Sequence, residues 1–571
     1  MEPIAGLAVA AVLIIVAVSF FAEKHGVATP LLLVVVGIGL SALPGAPHLE
    51  IRPEWILTVV LPPLLYSAAV NMPATDFRRD FGAIGALSVL LVLVSAFASG
   101  FVLYWLLPDL GLAAAIAVGA VISPPDAVAA TAIGKRLGLP ARLVTILEGE
   151  GLVNDATALV LMRTAVAATA GAVSLGGALA DFALAVTVGV AVGLVVGWVT
   201  VLVRSRIDDP VLTTAMSFVV PFLAFVPAEE LHASGVLAVV VAGLVTGAQS
   251  ARRFSSADRI VERTNWRTIQ MLLENGVFLL MGYEMAALVA DVQSDGFGVW
   301  VAVGLGLAAT VVLTTVRVLF VIPLVAALRR GQRRSEGWVE AMSGVLDRID
   351  AADLAHAPGR REQMTRFVRR KHADATFYAR EGLGWRGGAV LAWSGMRGVV
   401  TLAAAQSLPA DLPYRSQLVL VAFTVAVVTL LVQGGTLPAL IRRLGVRGGN
   451  AQEERREVAL LVAELGEAAR ALLDNPDLRR SDGRPFDPAI VEEVRTRSLA
   501  ALPPAGDDEE WVGALPRLEQ RRELQRLVLD AEQAALLDAR AGGIFRSHAI
   551  TAAQHAIDNN AAILDGPSAH G

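Results

Sequence analysis

Apolar residues run along this chain in blocks of about twenty, with polar and charged residues gathered between them. A helix of ~20 residues at ~1.5 Å per residue crosses the ~30 Å hydrocarbon layer of a bilayer. Thirteen such blocks begin near residues 4, 27, 55, 84, 111, 141, 180, 209, 234, 268, 298, 386 and 415. The pattern predicts an all-α membrane protein with about 13 transmembrane helices. The first block, Ile4 to Ala22, has no basic segment before it and exceeds a signal-peptide core, so it reads as a retained span. The third contains Pro62-Pro63, which would also suit a re-entrant loop, but that alternative reverses every later span.

Charge settles the alternation. Lys24, Arg78/Arg79, Lys135/Arg136/Arg142, Arg204/Arg206, Arg252/Arg253/Arg259/Arg263, Arg329/Arg330/Arg333/Arg334 and Arg442/Arg443/Arg447 all follow odd-numbered blocks. The opposite loops hold only Arg52 and Arg415, beside acids such as Asp109, Glu229, Asp295 and Asp411. By the positive-inside rule the N-terminus is expected outside and the C-terminus in the cytoplasm of a multi-pass plasma-membrane protein.

Composition narrows the class further. Of 571 residues 55% are hydrophobic and 18% charged, and the mean hydropathy is +0.59. The net charge of −5 leaves no broad basic surface, so nucleic acid is not an expected partner. Without cysteine there is no disulfide or thiolate chemistry, and the eight histidines form no metal-ligand spacing. No cofactor is expected. Residues 1–445 read as a transmembrane domain containing a cytoplasmic loop at 329–385, and 446–571 as a cytosolic tail. That tail has helical periodicity in Val458-Leu461-Leu465-Ala468-Leu472 and around Leu518–Leu529, with breaks at Asn475-Pro476 and Pro503-Pro504.

Ionisable groups inside spans cost several kcal/mol each, so they are functional candidates. The fifth block contains Ser123-Pro124-Pro125-Asp126. Two prolines donate no amide hydrogen, which predicts free carbonyls at Ala120 and Val121 and an interrupted helix at membrane depth. Ser123 is expected to cap the restart, with Asp126 as its third residue beside the positive helix end. Taken alone, the break reads equally as a proline kink with Asp126 as its cap.

The next block decides between them, for it places Glu148, Glu150 and Asp155 within eight residues of one helix. Glu148 and Asp155 share a face two turns apart, while Glu150 points elsewhere. Gly151 lies one turn before Asp155 and is expected to leave room for a cation or water. Asp155 is therefore the expected carrier, and Glu150 half of a buried ion pair with Arg397 of Trp393-Ser394-Gly395-Met396-Arg397-Gly398. Gly395 and Gly398 would let that segment loosen or be approached closely. Ser123 and Thr157 are secondary candidates beside Glu148. Glu274 and Glu284 read as structural polar contacts between helices, and Arg163 as an interfacial side chain.

At these motifs, Ile122-Ser-Pro-Pro-Asp126-Ala, Ile146-Leu-Glu-Gly-Glu-Gly-Leu-Val-Asn154-Asp155 and Trp393-Ser-Gly-Met-Arg397-Gly, the chain resembles the cation/proton antiporter-1 family of sodium/proton exchangers, over about 440 residues. The resemblance implies inverted repeats with broken crossing helices. It also implies exchange of Na⁺ for protons at Asp155, with Asp126, Asn154 and the Pro125 carbonyl lining the site and Glu150 paired to Arg397. It further implies electroneutral stoichiometry, a core moving against a dimerisation domain, and a homodimer. Pro125 and Ala127 stand where Thr and Pro are usual, Gly151 where Ser is common and Ser67 where Glu is frequent, so Na⁺, Li⁺ and K⁺ all stay open as substrates. The rivals are a K⁺/H⁺ antiporter, a Na⁺-coupled symporter on a related fold, and an intramembrane aspartyl protease, whose Gly-x-Gly-Asp pattern is absent.

Overall fold

The computed structural model describes residues 2–565 apart from 26–27, 44–52, 108, 170, 172–174, 295–297, 352–370, 373, 379–381, 447, 449–450 and 497–510. Arg52, Asp295, Arg447, Pro503-Pro504 and part of the expected 329–385 loop therefore lie outside the described residues. Those described form helices and a single isolated β-bridge, Arg479 to Pro485.

In chain order the apolar helices are α1 Glu2–His25, α2 Thr29–Ser41, α3 Ile56–Asn71, α4 Phe81–Leu106, α5 Leu112–Ile122, α6 Ala127–Arg136, α7 Ala141–Thr169, α8 Leu175–Arg204, α9 Pro210–Glu230, α10 Gly235–Arg253 and α11 Ser256–Tyr283. There follow α12 Met285–Ser294, α13 Val299–Ala351, α14 Trp385–Trp393, α15 Val399–Gln406 and α16 Arg415–Leu444. Among the described residues nine helical stretches are long and apolar enough to cross a membrane, α5 with α6 and α11 with α12 each making one; Gly6–Ala22, Thr29–Ser41 and Ile56–Asn71 are shorter apolar helices. Pro62 and Pro63 do not interrupt α3, because Ile56–Val60 widens into a π-helical turn just before them. The tenth apolar block starts a helix earlier than its hydropathy indicates: Ser255 and Asp258 form a capping box, so α11 begins at Ser256.

The helices pack as two groups. One contains α4 to α7 and α13 to α16; the other contains α1 to α3 and α8 to α11. In the second group Gly189, Gly193 and Gly197 form a four-residue ridge on α8, and a Cβ at each would lie within 2.9 Å of Ser234, Ala238 or Val245 on or beside α10. Small residues at that spacing let backbones approach where lipid supplies no hydrophobic drive between helices.

Helix α13 runs 53 residues in all, about 80 Å, and continues past its apolar part to Ala351, so the start of the expected 329–385 loop is helical. Between α3 and α4, the Arg142 guanidinium donates to Asp80 Oδ1 at 2.8 and 2.9 Å and to Oδ2 at 3.1 Å, and the Tyr378 ring lies against that guanidinium. The C-terminal segment forms α17 Ala451–Leu473, α18 Pro488–Thr496, α19 Trp511–Gly542 and α20 Ser547–Asp565. Leu461 and Leu465 pack with Leu536, Ala549, Ala553 and Ile557 to give α17, α19 and α20 a core of their own. This unit docks on the apolar helices: Arg259 at the start of α11 pairs with Asp558 on α20, and Gln533 donates to the Ala251 carbonyl at 3.1 Å.

Candidate functional site

The interruption in the fifth apolar block is longer than the prolines alone require. Helix α5 ends at Ile122, and α6 restarts only at Ala127. Asp126 itself caps the restart: its backbone is extended, and its carboxylate accepts the Val128 amide at 2.8 Å. Ser123 is the cap at the end of α5 and donates its hydroxyl to the Ala120 carbonyl at 3.0 Å. The expectation that Ser123 begins the second helix is thus corrected, since an aspartate at the cap reaches the orphan amide directly. The Ala120 carbonyl is correspondingly not free.

A second break faces the first. Helix α14 stops at Trp393 and α15 begins at Val399, leaving Ser394 to Gly398 non-helical. The two breaks cross and exchange hydrogen bonds. The Asp126 amide donates to the Met396 carbonyl at 2.6 Å, while the Arg397 amide donates to the Thr429 hydroxyl of the neighbouring α16 at 3.0 Å. The Arg397 guanidinium reaches the carbonyls of Ile122 at 3.1 Å and Ser123 at 3.4 Å, and also donates to that of Gly395. It caps the exposed end of the first break. Only glycine fits beside it: a Cβ on Gly398 would sit 1.9 Å from a carboxylate oxygen of Asp126.

The expected Glu150–Arg397 pair is not what forms. Glu150 is buried and is held bidentately by Arg317 of α13, at 2.5 and 2.8 Å, while Arg317 also donates to the Leu391 carbonyl at 3.1 Å. Arg397 is committed to backbone carbonyls, and the Arg317 fork takes the carboxylate. Arg317 was legible in principle, as an arginine in the otherwise apolar run from Val299 to Leu328. Gly395 makes room for it, since a Cβ there would lie 2.6 Å from the Arg317 side chain.

On α7, the Asn154 side chain donates to the Pro125 carbonyl at 2.6 Å, and its buried Oδ1 has no partner among the described residues. Asp155 follows, half-buried and within electrostatic reach of Asp126. The space at Gly151 is not open for an ion, because Ala127 fills it: a Cβ on Gly151 would meet the Ala127 methyl at 2.8 Å. Its effect is to let α6 lie close against α7. Glu148 stands apart, paired with Lys135 at 2.6 Å near the end of α6. Thr157 is buried and donates to the Val153 carbonyl at 3.4 Å. Arg163 pairs with Glu229 at 2.8 Å, and Glu284 accepts from Gln406 at 2.6 Å. Glu274 of α11 lies within electrostatic reach of Asp126.

The structure thus gathers Asp126, Asn154, Asp155 and the Pro125 carbonyl at the crossing. Two carboxylates and an unbonded amide oxygen offer hard oxygen ligands suited to a small desolvated cation or a proton, with helix ends supplying fixed partial charges.

Residues 8–443 match the model of the transmembrane sodium/hydrogen exchangers. The chain belongs to that family. An uncharacterized Na⁺/H⁺ exchanger of Mycobacterium tuberculosis is 31% identical over 444 residues, 76% of this chain and 73% of the relative. The Na⁺/H⁺ antiporter ApNhaP of Aphanothece halophytica is 27% identical, covering 86% and 85%. YjcE of Escherichia coli, a further uncharacterized exchanger, is 27% identical over 94% of both chains, which takes the exchanger likeness into the C-terminal unit. Among solved structures, the sodium proton antiporter MjNhaP1 of Methanocaldococcus jannaschii superposes with a TM-score of 0.56 at 15% identity, over 78% of this chain and 99% of that one. At that identity the likeness establishes the exchanger fold alone.

Proposed function

We propose that this exchanger-family protein carries a monovalent cation, Na⁺ in the first instance, across a membrane in exchange for protons, the two competing for Asp155. The observation that carries this reading is the convergence of Asp126 and Asp155 at crossed helix breaks whose backbone groups are already satisfied by Arg397 and Asn154. A site prepared this way need not reorganise its backbone when the cation leaves and a proton takes its place. In this reading Asn154 is held by the Pro125 carbonyl so that its Oδ1 faces the ion, and Glu150 with Arg317 braces the helix that carries Asp155.

The remaining features follow as parts of the same proposal. Thirteen spans are obtained from the nine long helices, the three shorter apolar ones and the broken α14–α15 pair. The two crossing breaks mark inverted repeats. Residues 1–445 are the membrane domain and 446–571 a cytosolic appendage, with the N-terminus outside, in the plasma membrane of the cell. Alternating access arises by the site-bearing group of helices moving against the other group, which dimerises with a second copy. Exchange is electroneutral and uses no cofactor, and the protein is not an enzyme.

The test is cation-induced proton flux in proteoliposomes holding a pH-sensitive dye, with Na⁺, Li⁺ and K⁺ added separately. Asp155→Asn is expected to abolish the response to every cation while leaving the melting temperature in detergent within about 3 °C, roughly the shift of a kcal/mol or less. Undiminished flux through folded Asp155→Asn protein overturns the assignment of Asp155. A response to K⁺ that exceeds the response to Na⁺ replaces the proposed ion.

A further inference from the structure

The C-terminal unit does not seal completely against the apolar helices. Between them lies a cavity of about 180 Å³, the volume of about six waters. Its walls carry Arg79 from the α3–α4 connection, Arg259 and Arg263 from α11, Arg540 from α19 and His555 from α20, and a single carboxylate, Glu262. Two elements of the membrane domain and two of the C-terminal unit thus turn positive groups into one space.

The nearby carboxylates are already committed. Glu262 is held by Arg204 at 2.6 and 3.0 Å. Asp558 is shared by Arg259 and by Arg263, the latter at 3.6 Å. Arg79 draws on Asp374 at 2.7 Å and Asp76 at 3.9 Å. Arg540, half-buried, has no hydrogen bond or ion pair among the described residues. The surplus is felt locally. Burial, then Arg263 and Arg267, hold the His555 imidazole below its usual range against the opposing pull of Asp558. Burial, then Arg252, likewise lower Arg540. A half-buried guanidinium left without a counter-charge, on the wall of a cavity that carries three further arginines and a histidine, is the arrangement that a multivalent oxyanion completes.

We propose that this cavity is a binding site for a phosphate group, whether of a soluble phosphorylated molecule or of a phospholipid head, held by Arg540, Arg263 and His555 and bridging the C-terminal unit to the membrane domain. The bound group contacts α11 and α19–α20 together, so it tightens the docking of the C-terminal unit. None of these side chains belongs to the crossing where Asp155 sits, and the site stands independently of the ion reading.

The test is titration of the purified full-length protein in uncharged detergent at constant ionic strength, by calorimetry, with pyrophosphate and with dioctanoyl phosphatidic acid as separate probes. Saturable binding is expected for at least one, weakened about tenfold in Arg540→Gln, the loss expected for one charge-assisted hydrogen bond. His555→Gln supplies a second variant should Arg540→Gln fold poorly, and it is expected to weaken binding in the same direction. Tighter binding of pyrophosphate identifies a soluble ligand, and tighter binding of the short-chain lipid a headgroup. Absence of saturable binding of both probes to the wild-type protein overturns the proposal, as does unchanged affinity in both folded variants.

Discussion

Arg317 and Arg397 are both fully buried, lie within one crossing, and are compensated in opposite ways. Arg317 faces a carboxylate, Glu150, and the two form a closed fork of charges. Arg397 faces backbone carbonyls, those of Ile122, Ser123 and Gly395. The first arrangement fixes one side chain to another and braces α7 against α13. The second fixes a side chain to the ends of two interrupted helices, so Arg397 holds the break itself. An ion pair can be inferred by counting charges, whereas a guanidinium on carbonyls becomes visible only when the backbone path is known.

The largest effect that would break this comparison is on the ion pair. Arg317→Met leaves Glu150 charged, buried and unpaired, and is expected to destabilise the protein by about 3–5 kcal/mol, with much of that recovered in the double variant Glu150→Gln/Arg317→Met. Unfolding in mixed micelles measures both, and an absence of recovery in the double variant would show that Arg317 is not Glu150's partner. Arg397→Met is expected to act less on stability, about 1–3 kcal/mol for carbonyls left without a donor. It should nonetheless remove most cation-driven proton flux, because the crossing that positions Asp126 is loosened. Pairing Arg397→Met with Glu150→Gln is expected to give no comparable rescue, the reverse of the Arg317 cycle. The smallest effect belongs to Lys135→Ala, which opens an exposed pair with Glu148 and should cost under about 1 kcal/mol, with exchange retained.

Much of the fold could be read from hydropathy, because a span must be apolar over its whole length; the blocks near residues 4, 84, 141, 298 and 415 begin within three residues of helices. The start of α11 escaped, since its first turns are polar and its signal is the Ser255–Asp258 capping box rather than hydrophobicity. At the site, the prolines at 124 and 125 announced the break and Asp126 announced its cap. The choice between Ser123 and Asp126 as cap turned on where the helix resumes, which local propensity leaves open. Glu150 was identified as paired, but its partner came from α13, more than 160 residues away in sequence, with no motif around Arg317 to single it out. The filling of the Gly151 space by Ala127 and the docking of α20 on α11 depend on tertiary approach, on which periodicity is silent.

Helix α13 joins the candidate site to a distant part of the molecule. Arg317 lies on it at the crossing, and the helix runs a further 34 residues to Ala351, about 50 Å at the usual rise. Pro323 removes one rung of its ladder, and the rod is otherwise continuous. Such a shaft works as a pointer on a pivot: a tilt of about 5° at Arg317, shifting side chains there by a fraction of an ångström, sweeps the far end through about 4 Å, by the same rise per residue. On the proposed alternating access, the amplitude is then greatest not at the Arg317 crossing but at the far tip of α13.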